Sequence, residues 1–150
     1  AVVIGINGYT TSPLRGCVSD VETVAKYLTD DLHIPGNHIQ LLLGTDSKEC
    51  TPTRANIVNA ILGLSTNPGI QHGDNIIIYF AGHGTSYECK QYFDKDGAAA
   101  MLGTIEAFDP HVPDISDQEI NTILAEIAKK KGNHITFILD CCYSASITRG

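Results

Sequence analysis

A chain of 150 residues with 43% hydrophobic and 18% charged residues has the balance of one globular domain, long enough to bury a real core. Its formal net charge of −7 argues against nucleic-acid binding, which needs Lys and Arg clustered against phosphate. No apolar stretch reaches membrane-spanning length and no signal peptide is visible. The five cysteines lack the spacing of a disulfide framework, so a reducing, cytoplasmic setting is expected.

The first element is an apolar strand, Val2-Val3-Ile4-Gly5-Ile6, followed by a loop of small and polar residues from Asn7 to Gly16. A helix is expected from about Ser19, with Glu22 completing a capping box and Val21, Val24, Ala25 and Leu28 on one face. A second strand spans His38 to Leu43. A second helix starts near Thr53, turns Ile57, Val58, Ile61 and Leu62 inward, and ends before Pro68. A third strand spans Asn75 to Phe80. Thr85 to Asp114 reads as one long irregular segment, of a kind that tends to be functional or flexible in compact domains. A third helix begins at Ser116, again with a capping box through Glu119, and runs to about Lys131. Its closing Lys129-Lys130-Lys131 complements the helix dipole rather than marking a binding patch. The last strand is His134 to Leu139.

These strands are continuous apolar runs, not alternating ones. That pattern predicts an α/β fold over residues 1–150, with a mostly parallel sheet covered on both faces by helices. Open parallel sheets bind ligands beyond the carboxyl ends of their strands. Two of those ends carry reactive groups. One reads Ile76-Ile77-Ile78-Tyr79-Phe80-Ala81-Gly82-His83-Gly84, and the other Ile135-Thr136-Phe137-Ile138-Leu139-Asp140-Cys141-Cys142-Tyr143-Ser144.

A thiol attacks a carbonyl as thiolate, and a neighbouring imidazole can take its proton and later protonate the leaving amine. Glycines beside His83 let a substrate backbone approach and leave amides available to an oxyanion, here those of Gly84 and Cys142. His83 and Cys142 lie 59 residues apart, close to the spacing of about 50 expected for a caspase arrangement. Cys141 alternates to the other side of its strand, where core packing is its better reading. Cys17 can be read equally as a pocket or a packing residue. His33, His38, His72, His111 and His134 have no ligand spacing and read as surface or capping residues.

Together Tyr79-Phe80-Ala81-Gly82-His83-Gly84, Ile138-Leu139-Asp140-Cys141-Cys142-Tyr143-Ser144 and Leu14-Arg15-Gly16-Cys17-Val18-Ser19-Asp20 resemble the caspase-type peptidases of family C14, and among them the metacaspase-like branch. The resemblance covers essentially the whole chain in order. It implies a caspase-like three-layer α/β/α sandwich and a cysteine endopeptidase with a His83–Cys142 dyad. It also implies an S1 pocket lined by Asp20 and Asp140, with Cys17 nearby, that takes Arg or Lys by charge pairing. Arg15 favours the alternative of an acidic P1 residue. Three positions depart from the branch: Ala81 stands where a Ser is common, Tyr143 where a His is usual and Ala145 where a Gly is usual.

The resemblance also makes calcium a candidate cofactor through Asp117 and Glu119, with Asp94, Asp96 and Asp109 as further, scattered acids. The resemblance further implies that the chain is the large-subunit portion, with peptide or protein substrates and a small-subunit fragment as partners. An inactive scaffold of the same fold, acting through protein contacts, is the non-enzyme reading; the intact pair of His83 and Cys142 argues against it. Zinc binding needs four ligands in paired spacings, which are missing. A nucleotide site would need a Gly-x-Gly-x-x-Gly turn that Gly5-Ile6-Asn7-Gly8 does not supply.

Overall fold

The computed structural model describes residues 1–10, 12–45, 52–93, 99–108 and 112–142, with the side chains of 87–93 and 99–103 left aside. Strand β1 (Val2–Ile6) leads through a loop into helix α1 (Cys17–Asp30), a 3-10 turn (Gly36–His38), strand β2 (Gln40–Gly44) and helix α2 (Arg54–Gly63). Strand β3 (Ile76–Ala81) is followed by β4 (Gly84–Phe93), β5 (Ala99–Ile105), the short β6 (Ile115–Ser116), helix α3 (Asp117–Lys131) and strand β7 (Ile135–Asp140).

Four strands form one parallel sheet in the order β2-β1-β3-β7. Their β-branched runs suit a pleated surface buried on both sides. Val2, Ile4 and Ile6 with Ile76, Ile78 and Phe80 face α2 and α3, where they pack against Ile57, Ile61, Ile120, Ile123 and Ile127. The alternate residues Val3, Tyr79 and Ala81 face α1 and its Val21 and Leu28. The result is the α/β sandwich that the apolar runs predict.

The structure departs from the sequence pattern at several points. Thr85 to Asp114 is not irregular where it is described: β4 and β5 pair antiparallel and β6 extends them into a second, three-stranded sheet. The alternating pattern that marks such a hairpin is diluted by the soft Gly97-Ala98-Ala99-Ala100 stretch. Helix α1 begins at Cys17, earlier than expected, with Gly16 as its N-cap and no side-chain cap. Ser19 does not cap; its hydroxyl donates to the Gly16 carbonyl at 2.8 Å. Helix coverage also stops short of β7, where burial alternates and Ile138 is 45% exposed. In α2, Leu62 points outward and Ala60 is buried instead, as is Leu64 just past the helix.

The other two caps follow the sequence. Thr53 accepts from the Asn56 amide at 3.2 Å and Ser116 from the Glu119 amide at 3.2 Å. The Glu119 carboxylate does not complete the box; it pairs with Arg54 Nη2 at 2.5 Å, tying α3 to α2.

Candidate active site

Because β1, β3 and β7 are adjacent and parallel, the segments leaving their carboxyl ends emerge along one edge of the sheet. The last ladder pair of β3 and β7 is Ala81 with Asp140, and the Gly82 amide donates to the Asp140 carbonyl at 3.3 Å. His83 and Cys142 each follow two residues later, on neighbouring chains.

Gly84 fixes how closely those chains approach. A Cβ there would meet the Cys142 carbonyl oxygen and lie 2.9 Å from Cys141 Sγ, so only glycine fits without displacement. Gly84 also opens β4, opposite Ile105. Cys141 turns to the α2–α3 side and packs on the larger core, while Cys142 is exposed. Burial, then the neighbouring Cys142 and Asp140, push the Cys141 thiol up to about 11. It is therefore a protonated packing group at neutral pH. Cys17, Cys141 and Cys142 are all free thiols.

The loop after β1 positions His83. Tyr9 is buried, and its hydroxyl accepts the His83 backbone N–H at 2.9 Å and donates to the Glu106 carbonyl at 3.1 Å. The two rings pack at 4.5 Å between centroids, tilted by 53°. Burial is the main reason the Tyr9 phenol is pushed up and stays protonated. Gly82 leaves room for this contact, since a Cβ there would come within 2.5 Å of the Tyr9 hydroxyl.

Further along the loop, His83 Nε2 lies 2.7 Å from the Ser12 carbonyl. A carbonyl only accepts, so Nε2 carries a proton in this contact. In the neutral ring Nδ1 is then the free base. Ser12 holds a positive φ of 82°, unusual for a residue with a side chain.

Asp20 lies in the first turn of α1, and Gly16 before that helix has a φ of 111°. On the α1 side of β7, Asp140 accepts from the Tyr79 hydroxyl at 2.9 Å. The Cys17 thiol is pushed up by burial first, then by Asp20 and, less, by Asp140. Both carboxylates thus act electrostatically on the Cys17 thiol. Arg15 is exposed. Tyr143 and Ala145 lie outside the described residues.

Two of the calcium candidates, Asp117 and Glu119, are among the described residues. Glu119 is engaged by Arg54, and Asp117 offers one buried Oδ1 without a hydrogen-bond partner, against the roughly six to eight oxygens calcium takes. Among the described residues no group of three or more His, Cys, Asp or Glu could hold a metal. Asp94, Asp96 and Asp109 fall outside the described residues.

Tyr9, Ser12 and Tyr79, which touch His83 or Asp140, are not singled out by the sequence pattern. Tyr9 and Ser12 sit in a loop without periodicity, and Tyr79 reads as one more apolar position of a buried strand.

The α/β sandwich, with an imidazole and a thiol following the carboxyl ends of two neighbouring parallel strands, is consistent with a caspase-like fold. A family model for the metacaspase, peptidase C14 domain matches residues 1–149. Metacaspase-6 of Arabidopsis thaliana is 32% identical over 149 residues, and Metacaspase-1 of Eremothecium gossypii is 31% identical over 150. These matches cover 98% and 97% of this chain but 38% and 32% of those proteins, so the chain spans about a third of their length. In fold it is similar to the crystal structure of protein GSU0716 from Geobacter sulfurreducens, with a TM-score of 0.67 at 20% identity over 95% of this chain and 50% of that one. The chain belongs to the metacaspase, peptidase C14, family. No helix among the described residues is long and apolar enough to cross a membrane.

Proposed function

We propose that this protein is a cysteine endopeptidase that cuts after Arg or Lys, with Cys142 as nucleophile and His83 as general base and then acid. The observation that carries the reading is the register of β3 and β7. It ends on Ala81 and Asp140, and the two segments then stay in contact through Gly84.

The Ser12 carbonyl holds Nε2–H, so Nδ1 accepts the Cys142 thiol proton. The thiolate attacks the peptide carbonyl, and the amides of Gly84 and Cys142 bear the oxyanion. As the tetrahedral adduct collapses, the imidazolium gives its proton to the leaving amine and a thioester remains. Water, deprotonated by the same imidazole, attacks the thioester; the carboxylic acid leaves and the thiol is restored. Asp20 and Asp140 pair with the basic P1 side chain.

The chain is read as the large-subunit portion of the enzyme. Among the described residues β7 is an edge strand, with Thr136, Ile138 and Asp140 exposed, which supports a further strand from a small-subunit segment docking there.

The test is a fluorogenic peptide panel with Arg, Lys or Asp at P1, run on the full-length protein with and without calcium. Turnover of the Arg and Lys peptides is expected. Preference for Asp would overturn the pocket assignment and promote Arg15, and no turnover of any peptide would favour a scaffold.

A further inference from the structure

We propose that Tyr79 is a positioning residue for P1 specificity: its hydroxyl fixes the plane of the Asp140 carboxylate so that the pocket favours the guanidinium of Arg over the ammonium of Lys. This rests on the S1 role proposed for Asp140.

Tyr79 lies in β3 opposite Ile138, two ladder pairs before Ala81–Asp140, and it is 6% exposed. Its ring is held in the α1-side core with Val3 and Val21. From there its hydroxyl reaches across to Asp140 Oδ2 at 2.9 Å. Ala81, the next residue of β3 on that face, has no polar atom beyond the backbone, so Tyr79 supplies the strand's side-chain contact to this carboxylate. Burial, followed by the bond to Asp140, pushes the phenol up, so it remains a donor across the working pH range. The same causes include Asp20 and Cys17, the other residues assigned to the pocket.

The consequence for specificity follows from the shapes of the two cations. A guanidinium is a planar fork whose hydrogen bonds depend on the plane of the carboxylate it meets. An ammonium is a compact charge with rotatable donors and tolerates a carboxylate that turns. Holding Oδ2 in place leaves Oδ1 aimed and lowers the ordering cost for Arg more than for Lys.

The experiment compares Tyr79→Phe with the wild type in the full-length protein, using peptides that differ only in Arg or Lys at P1, with the thermal midpoint as a control. The expected result is a KM for Arg raised about fivefold, and kcat and the KM for Lys each changed by less than about twofold. The Arg-over-Lys ratio of kcat/KM then falls about fivefold. An unchanged ratio, or an equal fall for both peptides whatever the stability, marks Tyr79 as structural and overturns the proposal alone. A wild type that cleaves neither peptide overturns the peptidase reading and this inference with it.

Discussion

The Tyr9 hydroxyl joins His83 to the second sheet: it accepts the His83 N–H at 2.9 Å and donates to the Glu106 carbonyl at 3.1 Å. The Glu106 amide in turn donates to the His83 carbonyl at 3.0 Å. One buried phenol and one backbone bond thus hold both peptide groups of His83, while the Ser12 carbonyl holds its ring.

Removing the hydroxyl alone should show what this frame does. Tyr9→Phe keeps the ring contact but leaves the His83 N–H without its partner, at a stability cost of about 1–2 kcal/mol. The proposed base then sits less firmly, so kcat should fall roughly tenfold with little change in KM. Denaturant unfolding and steady-state kinetics on one peptide read both effects. An unchanged kcat would remove Tyr9 from the positioning of His83.

Gly84→Ala tests the approach of the two chain segments. The added methyl meets the Cys142 carbonyl and the Cys141 side chain, neither of which is the loose end of a flexible group. Overpacking of this kind costs about 1–3 kcal/mol, and the displaced Cys142 backbone should abolish turnover. By contrast, Gly63→Ala in α2 meets no atom within 4 Å and should leave both properties intact. Full activity in Gly84→Ala would contradict the packing that brings the two ends together.

How much of this was legible in the sequence depends on what kind of residue carried it. The four parallel strands were readable because Ile76-Ile77-Ile78 and its counterparts are unbroken apolar runs, and their ends marked His83 and Cys142 directly. The N-caps Thr53 and Ser116 were readable because a hydroxyl before an apolar run has one favoured local use. The frame around His83 was not. Tyr9 acts through contacts 74 and 97 residues away in sequence, and Ser12 acts through its carbonyl, which every residue has. The hairpin was lost because Gly97, Ala98, Ala99 and Ala100 blur the period-2 pattern. The half-completed cap at Glu119 reflects competition: Arg54, distant in sequence, offers that carboxylate a charged partner.

Cys141 should shape stability in alkali. Its thiol moves from an ordinary 9.0 to about 11 in the folded chain. A raised pKa means that the folded state keeps a proton the unfolded chain gives up, so this contribution is whole below pH 9 and is lost as pH climbs toward 11. Tyr9 and Tyr79, also pushed up by burial from an ordinary 10.0, act in the same direction from about pH 10 upward. Unfolding free energy should therefore decline from about pH 9, and Cys141→Ala should flatten the first part of the decline. Equal slopes in wild type and variant would show that Cys141 is not the buried thiol described.

The central claim is that the exposed Cys142, and not its buried neighbour, attacks the peptide bond. Matched Cys142→Ala and Cys141→Ala variants of the full-length protein, assayed on one peptide with Arg at P1, test it most directly. Turnover should vanish in Cys142→Ala and persist within a few-fold of wild type in Cys141→Ala, which loses only packing at the core. Equal activity in the two variants, or activity lost only with Cys141, would contradict the account.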